Sequence, residues 1–213
     1  DGPFLRLDDA WHPQLPGAVR NGWAIGPGRN VHLVTGPNMA GKTTALRVLG
    51  ISAWLAHCGL PVPAGGMEFR PLGGLHVGLH PRDDLARGVS LFLAEVLGVR
   101  TFLASAASGA PTLGIFDELF RGTNPADARE ATGRVVRGLS RSRRGALVLS
   151  THLTGLASEV ASLPGVEARF LEGRREGDGF AFDFTLRDGV SEQRLGMQLF
   201  RGHGVEELLD RLE

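Results

Sequence analysis

The stretch TGPNMAGKTTALR, residues 35–47, contains the only lysine of this 213-residue chain. Of the 23 lysine and arginine residues the other 22 are arginine, so Lys42 marks a position that arginine does not fill. Residues 36–43 match G-x-x-x-x-G-K-[ST] without a gap, a pattern typical of loops that hold the phosphates of a nucleotide. A compact ammonium on a long stem reaches the β- and γ-phosphates there, whereas a bulkier, forked guanidinium does not fit in the same way.

The segments on both sides of this loop favour the same interpretation. Residues 31–35, VHLVT, predict a strand, and residues 42–57 predict a helix. Glycines let the backbone turn tightly between them, so that N–H groups of the loop and of the helix start surround an anion. We also expect the hydroxyl of Thr43 to bind Mg²⁺. The sequence therefore predicts a site for a nucleoside triphosphate and magnesium.

The overall composition excludes several other classes of protein. The formal net charge is zero, so the chain as a whole does not attract DNA or an anionic membrane by its charge. The single cysteine, Cys58, cannot form an internal disulfide or a multi-cysteine zinc site, and we expect it to be buried. No run of 18 apolar residues predicts a membrane span, and the acidic first residues do not resemble a signal peptide.

Strand and helix patterns alternate along most of the chain. Two further apolar runs, residues 112–117 and 146–150, predict buried strands, and helices are predicted over residues 90–106 and 125–139. This alternation predicts an α/β fold with a mainly parallel central sheet and helices on both faces.

The C-terminal part of the sequence has a different pattern. Residues 166–173 and 180–189 flank a turn-rich segment and predict an antiparallel hairpin at the edge of the sheet. One or two closing helices are predicted after residue 197. We find no repeat and no low-complexity linker, so we expect a single domain over residues 1–213.

Two acidic residues follow the apolar run 112–117. We expect its strand to lie next to strand 31–35, so that Asp117 can bind Mg²⁺, largely through water. Glu118 can then orient and deprotonate a water that attacks the γ-phosphate. His152, which follows the run 146–150, can hydrogen-bond the γ-phosphate or this water. Without the glycine loop the two acids could equally be the start of an ordinary loop.

Four segments together resemble a known family. They are TGPNMAGKTT, DDLARGVSLFLAEV (residues 83–96), LGIFDELFRGTNPADA and LSTHL. In order and spacing they resemble the C-terminal ATPase domain of the MutS family of DNA mismatch-repair and recombination proteins. The resemblance covers almost the whole chain and implies a P-loop ATPase of the ABC type.

The resemblance also implies a site shared by two subunits. Each nucleotide would lie between the glycine loop of one copy and the start of the signature helix of the other, here residues 88–90. The loop at residues 121–124 would cross the interface of this homodimer. The implied nucleotide-binding residues are Gly36, Pro37, Asn38, Met39, Ala40, Gly41, Lys42, Thr43, Thr44 and, in trans, Ser90.

Several positions depart from the family pattern and suggest a divergent branch. Ala40 and Phe120 stand where glycine is usual, and Leu91 follows Ser90 where threonine is usual. An aromatic residue commonly stacks on adenine in the lead-in, but residues 17–21 contain no aromatic side chain and offer only Ala18 and Val19 there.

The leading hypothesis is a MutS-like ATPase module in which Mg²⁺-dependent ATP binding closes a homodimer and slow hydrolysis resets it. Because the chain starts at Asp1, we expect a piece of a longer bacterial-type protein, cytoplasmic and nucleoid-associated, that contacts DNA through other domains. One alternative is a nucleotide-gated scaffold that does not hydrolyse ATP. Another is a transporter-type or SMC-like ATPase, which the lack of an LSGGQ-like signature disfavours.

Overall fold

A computed structural model describes residues 2–79, 91–176, 179–193, 195–202 and 204–212. The strands are β1 (Leu5–Ala10), β2 (Asn21–Ile25), β3 (Arg29–Thr35), β4 (Gly66–Phe69), β5 (Gly74–Gly78), β6 (Thr112–Asp117), β7 (Gly145–Ser150), β8 (Gly165–Phe170), β9 (Gly173–Glu176), β10 (Gly179–Phe182) and β11 (Arg187–Asp188). The helices are α1 (Lys42–His57), α2 (Leu91–Ala107), α3 (Pro125–Ser140), α4 (Thr154–Val160), α5 (Leu195–Gly202) and α6 (Val205–Asp210).

The central sheet has six strands in the order β11-β8-β3-β7-β6-β5. The five strands from β8 to β5 run parallel, and only the edge strand β11 is antiparallel. The predicted mainly parallel sheet is therefore confirmed. The expected neighbour of β3 was wrong, because β7 lies between β3 and β6. Local sequence patterns predict strands, but they do not contain the order in which parallel strands pair.

Helices cover both faces of this sheet, as predicted. Every residue of β6 and β7 is buried, and successive side chains of a strand point to opposite faces. Leu113 and Ile115 pack in one core with Leu49 of α1. Phe116 and Leu149 pack in a second core, with residues of α2, α3 and α4. A strand that is buried on both faces reads as a continuous apolar run.

A second, antiparallel sheet was not predicted. It has the strand order β2-β1-β4, and its residues Leu5, Leu7, Trp23 and Ile25 share the core that contains α1. The strand β4 follows α1 in the chain, so the pairing joins segments about 60 residues apart, such as Leu5 with Phe69. Pairing over such a separation leaves no local sequence signal.

The predicted antiparallel hairpin exists, but its boundaries were wrong. The ribbon consists of β9 and β10, so residues 173–176, which look turn-rich, form a strand with mostly exposed charged side chains. Most of the segment predicted as the first hairpin strand is β8, which lies parallel to β3 in the central sheet. Arg187 and Asp188 of β11 then pair antiparallel with the end of β8.

Two helix starts have clear local causes. Gly41, with a φ of 98°, precedes the first residue of α1. The side chain of Asn124 accepts hydrogen bonds from the N–H groups of Ala126 at 3.1 Å and Asp127 at 2.9 Å, and Pro125 occupies the first turn of α3. Such an N-cap with an early proline favours a helix start.

Cys58 follows the last residue of α1 and is exposed, so the expectation that it is buried was wrong. No described helix has the length and apolar character needed to cross a membrane.

Candidate functional site

The predicted functional residues meet at the carboxyl edge of the central sheet. Residues 36–43, the glycine loop, follow β3, while Asp117 ends β6 and His152 follows β7. Because parallel strands end at the same edge, three segments that are far apart in sequence come together. The glycine loop and the segment at the end of β6 line a pocket of about 370 Å³, and His152 contacts Glu118 beside it. Its lining residues are Asn38, Met39, Gly41, Lys42, Thr43, Thr44, Asp117, Glu118 and Arg121.

The backbone of the glycine loop requires glycine at specific positions. Gly36 has a φ of 138°, and a Cβ there would lie 2.5 Å from the carbonyl oxygen of Leu171. Gly41 also has a positive φ, and Met39 adopts one, 69°, without being glycine. Ala40 is buried and has no positive φ. A Cβ at position 40 is therefore compatible with this loop, although the family usually has glycine there.

Lys42 lies inside the glycine loop. Its side chain is 6% exposed, and its Nζ donates hydrogen bonds to the carbonyl oxygens of Gly36 at 2.8 Å and Pro37 at 3.0 Å. Burial lowers the pKa of Lys42, and the carboxylates of Glu118 and Asp117 partly offset this effect. The loop thus holds one desolvated positive charge, and this charge is hydrogen-bonded to carbonyl oxygens of the loop itself.

Thr43 and Asp117 form the polar floor of the pocket. The hydroxyl of Thr43 donates a hydrogen bond of 2.6 Å to Oδ2 of Asp117, and the hydroxyl of Ser150 donates to Oδ1. Asp117 is only 4% exposed, so these hydroxyls orient a buried carboxylate. Hydroxyl and carboxylate oxygens are ligands that Mg²⁺ prefers. The described residues contain no cluster of three or more His, Cys, Asp or Glu side chains that could hold a metal ion.

Glu118 is held beside Lys42 in an unusual backbone conformation. Its φ is 58°, and its N–H donates to the carbonyl oxygen of Ser150 at 3.0 Å. Its Oε2 lies 3.5 Å from Nδ1 of His152 and 3.8 Å from Nη1 of Arg121. The structure thus brings together Glu118 and His152, as the sequence predicted, and places Arg121 with them. A non-glycine residue in the left-handed region is strained, and such residues cluster at functional sites.

A second, apolar pocket of about 340 Å³ adjoins the glycine loop and shares Met39, Gly41 and Thr44 with the first. Phe184 forms one of its walls, and the place of a Cβ on Gly41 lies 3.0 Å from the Phe184 ring. Asn21 fixes this segment because its side chain donates to the carbonyl oxygen of Phe184 at 3.0 Å and accepts from the N–H of Leu186 at 2.8 Å. The other walls include Leu15, Ala18, Val19 and Trp23.

The family model of MutS domain V matches residues 32–209 of this chain. The match begins within β3, includes the glycine loop and the Asp117–Glu118 pair, and ends within α6. The chain belongs to the MutS domain V family. This is the C-terminal ATPase domain of MutS proteins, a family that binds ATP with Mg²⁺ and acts as dimers on DNA.

The sequence missed one element of the site in this MutS domain V. Residues 17–21 contain no aromatic side chain, as noted, but Phe184 comes from more than 160 residues further along the chain. No local sequence pattern links Phe184 to the glycine loop, because the contact depends on the turn after β10. Ser90, the residue predicted to act in trans, lies outside the described residues. Asn38 is exposed at the rim of the first pocket.

We expect Gly36→Ala to lower the free energy of unfolding of this MutS domain V by at least about 2 kcal/mol. The new Cβ would be strained by the φ of 138° and would meet a backbone oxygen at 2.5 Å, which cannot move as a side chain can. Urea denaturation measures the change. Gly138→Ala is the control, because this glycine of α3 has open space around it and alanine favours helix. A loss below about 0.5 kcal/mol for Gly36→Ala would contradict the strain argument.

Proposed function

We propose that this chain binds ATP with Mg²⁺ and hydrolyses it in an ABC-type P-loop site, as the ATPase module of a MutS-like DNA repair or recombination protein. One observation carries the proposal. The buried Lys42, the bonded pair Thr43 and Asp117, and Glu118 line one pocket at the edge of the sheet, and His152 contacts Glu118 beside it. Each group supplies a different requirement of phosphoryl transfer to water.

Residues 36–44 bind the phosphates in this proposal. The N-terminus of α1 and the loop N–H groups favour an anion. Lys42 now bonds two neutral carbonyl oxygens, and charged phosphate oxygens are stronger acceptors than these. Lys42 therefore exchanges weak partners for strong ones without leaving the loop.

Thr43 and Asp117 hold the metal ion. Bound Mg²⁺ would neutralise charge on the β- and γ-phosphate oxygens. The hydrogen bond between the two side chains keeps both ligand oxygens together. The hydroxyl of Ser150 fixes the second carboxylate oxygen of Asp117, so that Asp117 keeps its orientation when Thr43 changes partner.

Glu118 acts on the attacking water. Its carboxylate accepts a proton from the water as the water oxygen bonds to the γ-phosphorus and the bond from phosphorus to the bridging oxygen of ADP breaks. His152 lies 3.5 Å from the same carboxylate oxygen and is mostly exposed, so it can turn to hydrogen-bond the water or the γ-phosphate. Asp117, being a metal ligand, does not compete for this proton.

The apolar pocket holds the base. Phe184 offers a ring face beside the glycine loop, and residues 15–19 form the opposite wall. A purine ring is planar and mostly apolar, so it stacks on such a side chain. Phe184 therefore supplies the aromatic contact that residues 17–21 lack, and it does so from the opposite end of the chain.

A homodimer completes the site in this proposal. The start of α2, with Ser90 directly before it, would face the γ-phosphate bound by the partner, as the family resemblance implies. Contacts to DNA would come from domains outside this chain. The residues Phe120 and Leu91, which differ from the usual family pattern, favour a divergent branch.

A scaffold that binds nucleotide without hydrolysing it is the second candidate. The observation that favours it is the position of Arg121, whose guanidinium lies 3.8 Å from the carboxylate of Glu118. A lasting ion pair there would occupy the carboxylate that must otherwise contact the attacking water. Both candidates bind ATP, but only the first hydrolyses it.

Glu118→Gln should keep ATP affinity within about threefold and lower turnover at least about a hundredfold, because glutamine keeps the shape but cannot accept the proton. Affinity is measured by calorimetry and turnover by phosphate release, with Glu130→Gln, an exposed acid on α3, as the control. Light scattering with ATP and Mg²⁺ should show a dimer that lives longer in the variant. Unchanged turnover would reject the role of Glu118, and zero turnover of the unaltered chain as a dimer would favour the scaffold.

Lys42→Arg should weaken ATP binding at least about tenfold while the protein stays folded by circular dichroism. The guanidinium cannot replace the ammonium between the carbonyls of Gly36 and Pro37 without opening the loop. Arg47→Lys makes the reverse exchange at an exposed position of the same helix and should leave affinity unchanged. Equal affinity of Lys42→Arg and the unaltered chain would show that any cation serves at this position.

Phe184→Ala should weaken ATP binding about tenfold, the usual effect of removing a stacked aromatic. Affinity for inorganic tripolyphosphate should not change, because that probe carries no base. Competition against a fluorescent ATP analogue measures both constants, and Phe69→Ala removes a half-exposed ring far from the loop as the control. An equal loss for both ligands would mean that Phe184 supports the loop and does not contact a base.

A further inference from the structure

Glu95 of α2 is a buried acid that the site described above does not use. It is 6% exposed, and neither of its carboxylate oxygens makes a hydrogen bond of good geometry with a described residue. Burying a carboxylate without full partners is costly, and burial raises the pKa of Glu95. The N–H of Gly122 and then the charge of Arg121 oppose this shift most strongly, followed by the N–H groups of Arg121 and Phe120.

These opposing groups belong to the loop that follows Glu118. Glu118 and Phe120 have φ values of 58° and 64°, while Leu119 between them is not in the left-handed region. A turn of this kind directs neighbouring backbone N–H groups to one side, where they attract an anion. We call residues 120–122 the amide nest. The anion that it faces is the carboxylate of Glu95, from a different element.

Packing fixes the amide nest closely against α2. A Cβ on Gly122 would lie 2.6 Å from the backbone nitrogen of Phe92, so the two backbones touch. The rings of Phe92 and Phe120 meet edge to face with centroids 6.1 Å apart, and Phe120 is 4% exposed. This burial offsets the strain of a bulky residue with positive φ at position 120. Phe120 therefore fastens the loop to the helix where glycine could not.

Arg121 stands between two carboxylates. Its guanidinium lies 3.8 Å from Oε2 of Glu118, and its charge is also felt by Glu95. Glu118 and Glu95 both attract the guanidinium of Arg121, so the position of this side chain depends on both acids. A change in Glu95 is thus transmitted to Glu118 by a direct contact and by the backbone of the amide nest.

We propose that Glu95 is a positioning residue for hydrolysis: its buried carboxylate holds the amide nest, so that the loop carrying Glu118 is fixed to α2. This inference rests on the proposed ATP hydrolysis by Glu118. With the anchor in place, α2 and Glu118 move as one unit. Without the charge of Glu95, the loop is no longer fixed to α2, and Glu118 and Arg121 lose their defined positions beside the pocket.

Glu95→Gln separates this role from simple packing, because it keeps the shape and removes the charge. We expect kcat to fall about tenfold with KM for ATP within about threefold, since the loss of the buried charge that attracts the amide nest has an effect of this order. The thermal midpoint should stay equal or rise, because an unfavourable buried charge has been removed. Glu95→Asp should restore part of kcat, and Glu130→Gln is the control. A thermal midpoint and kcat that fall together, with no recovery in Glu95→Asp, would overturn the proposal.

A double-mutant cycle tests the path through Arg121. If Glu95 acts through this side chain, Glu95→Gln should have little further effect on kcat in the Arg121→Ala background. Effects that multiply independently would overturn the path.

Hydrogen exchange tests the anchor without relying on ATP turnover. Glu95→Ala should speed exchange of the amides in residues 119–124 about tenfold, while the amides of β6 keep their rate. Mass spectrometry of peptides from these two segments gives both rates in one experiment. Unchanged exchange in residues 119–124 would overturn the anchor even if ATP is hydrolysed. Faster exchange in a chain that shows no turnover would support the anchor and reject the proposed hydrolysis, so that the two failures remain distinct.

Discussion

The buried ammonium group of Lys42 requires compensating polar and charged groups around it, and the arrangement of the sheet edge supplies them. Lys42 is almost fully inside the protein, and its charge must be compensated where it has little contact with water. Two loop carbonyls bond it directly, and the carboxylates of Asp117 and Glu118 favour its charged form. These acids can approach because β6 ends at the same edge as β3, with β7 between them. The parallel sheet is thus the scaffold that brings the countercharges to the glycine loop.

Backbone strain is concentrated at the same edge. Among the described residues, five that are not glycine have positive φ, and four of them, Met39, Glu118, Phe120 and Phe184, lie at the two pockets or in the adjoining loop. Each such residue costs about 1–2 kcal/mol, so the surrounding structure must determine its conformation. Burial of Phe120 against Phe92 and the two hydrogen bonds of Asn21 provide such determination. The strained backbone conformations therefore occur at residues whose side chains line the two pockets or the adjoining loop.

Local signals predicted the parts of this site that are continuous in sequence. The glycine loop, the strands β6 and β7 and both ends of α1 follow from glycine spacing, apolar runs and helix periodicity, and the family match confirms the kinship that the motifs implied. The parts that the sequence did not reveal depend on pairing at long range. The sheet β2-β1-β4, the insertion of β7 and the position of Phe184 join segments whose contact leaves no periodic trace. Ser90 and its role in trans remain a prediction, as do the catalytic roles of Glu118 and His152.

Gly41 shows why the two pockets work as one site. Its φ of 98° turns the chain into α1, and the space that its Cβ would occupy lies 3.0 Å from the ring of Phe184. The same residue therefore precedes α1 beside the first pocket and leaves room for the Phe184 wall of the second pocket. Because Met39 and Thr44 are also shared by both pockets, a base bound at Phe184, as we propose, would stabilise the loop conformation that positions Lys42. Affinity for the base can then support the geometry of the phosphate site, so that a ligand with both parts orders the loop better than phosphate alone.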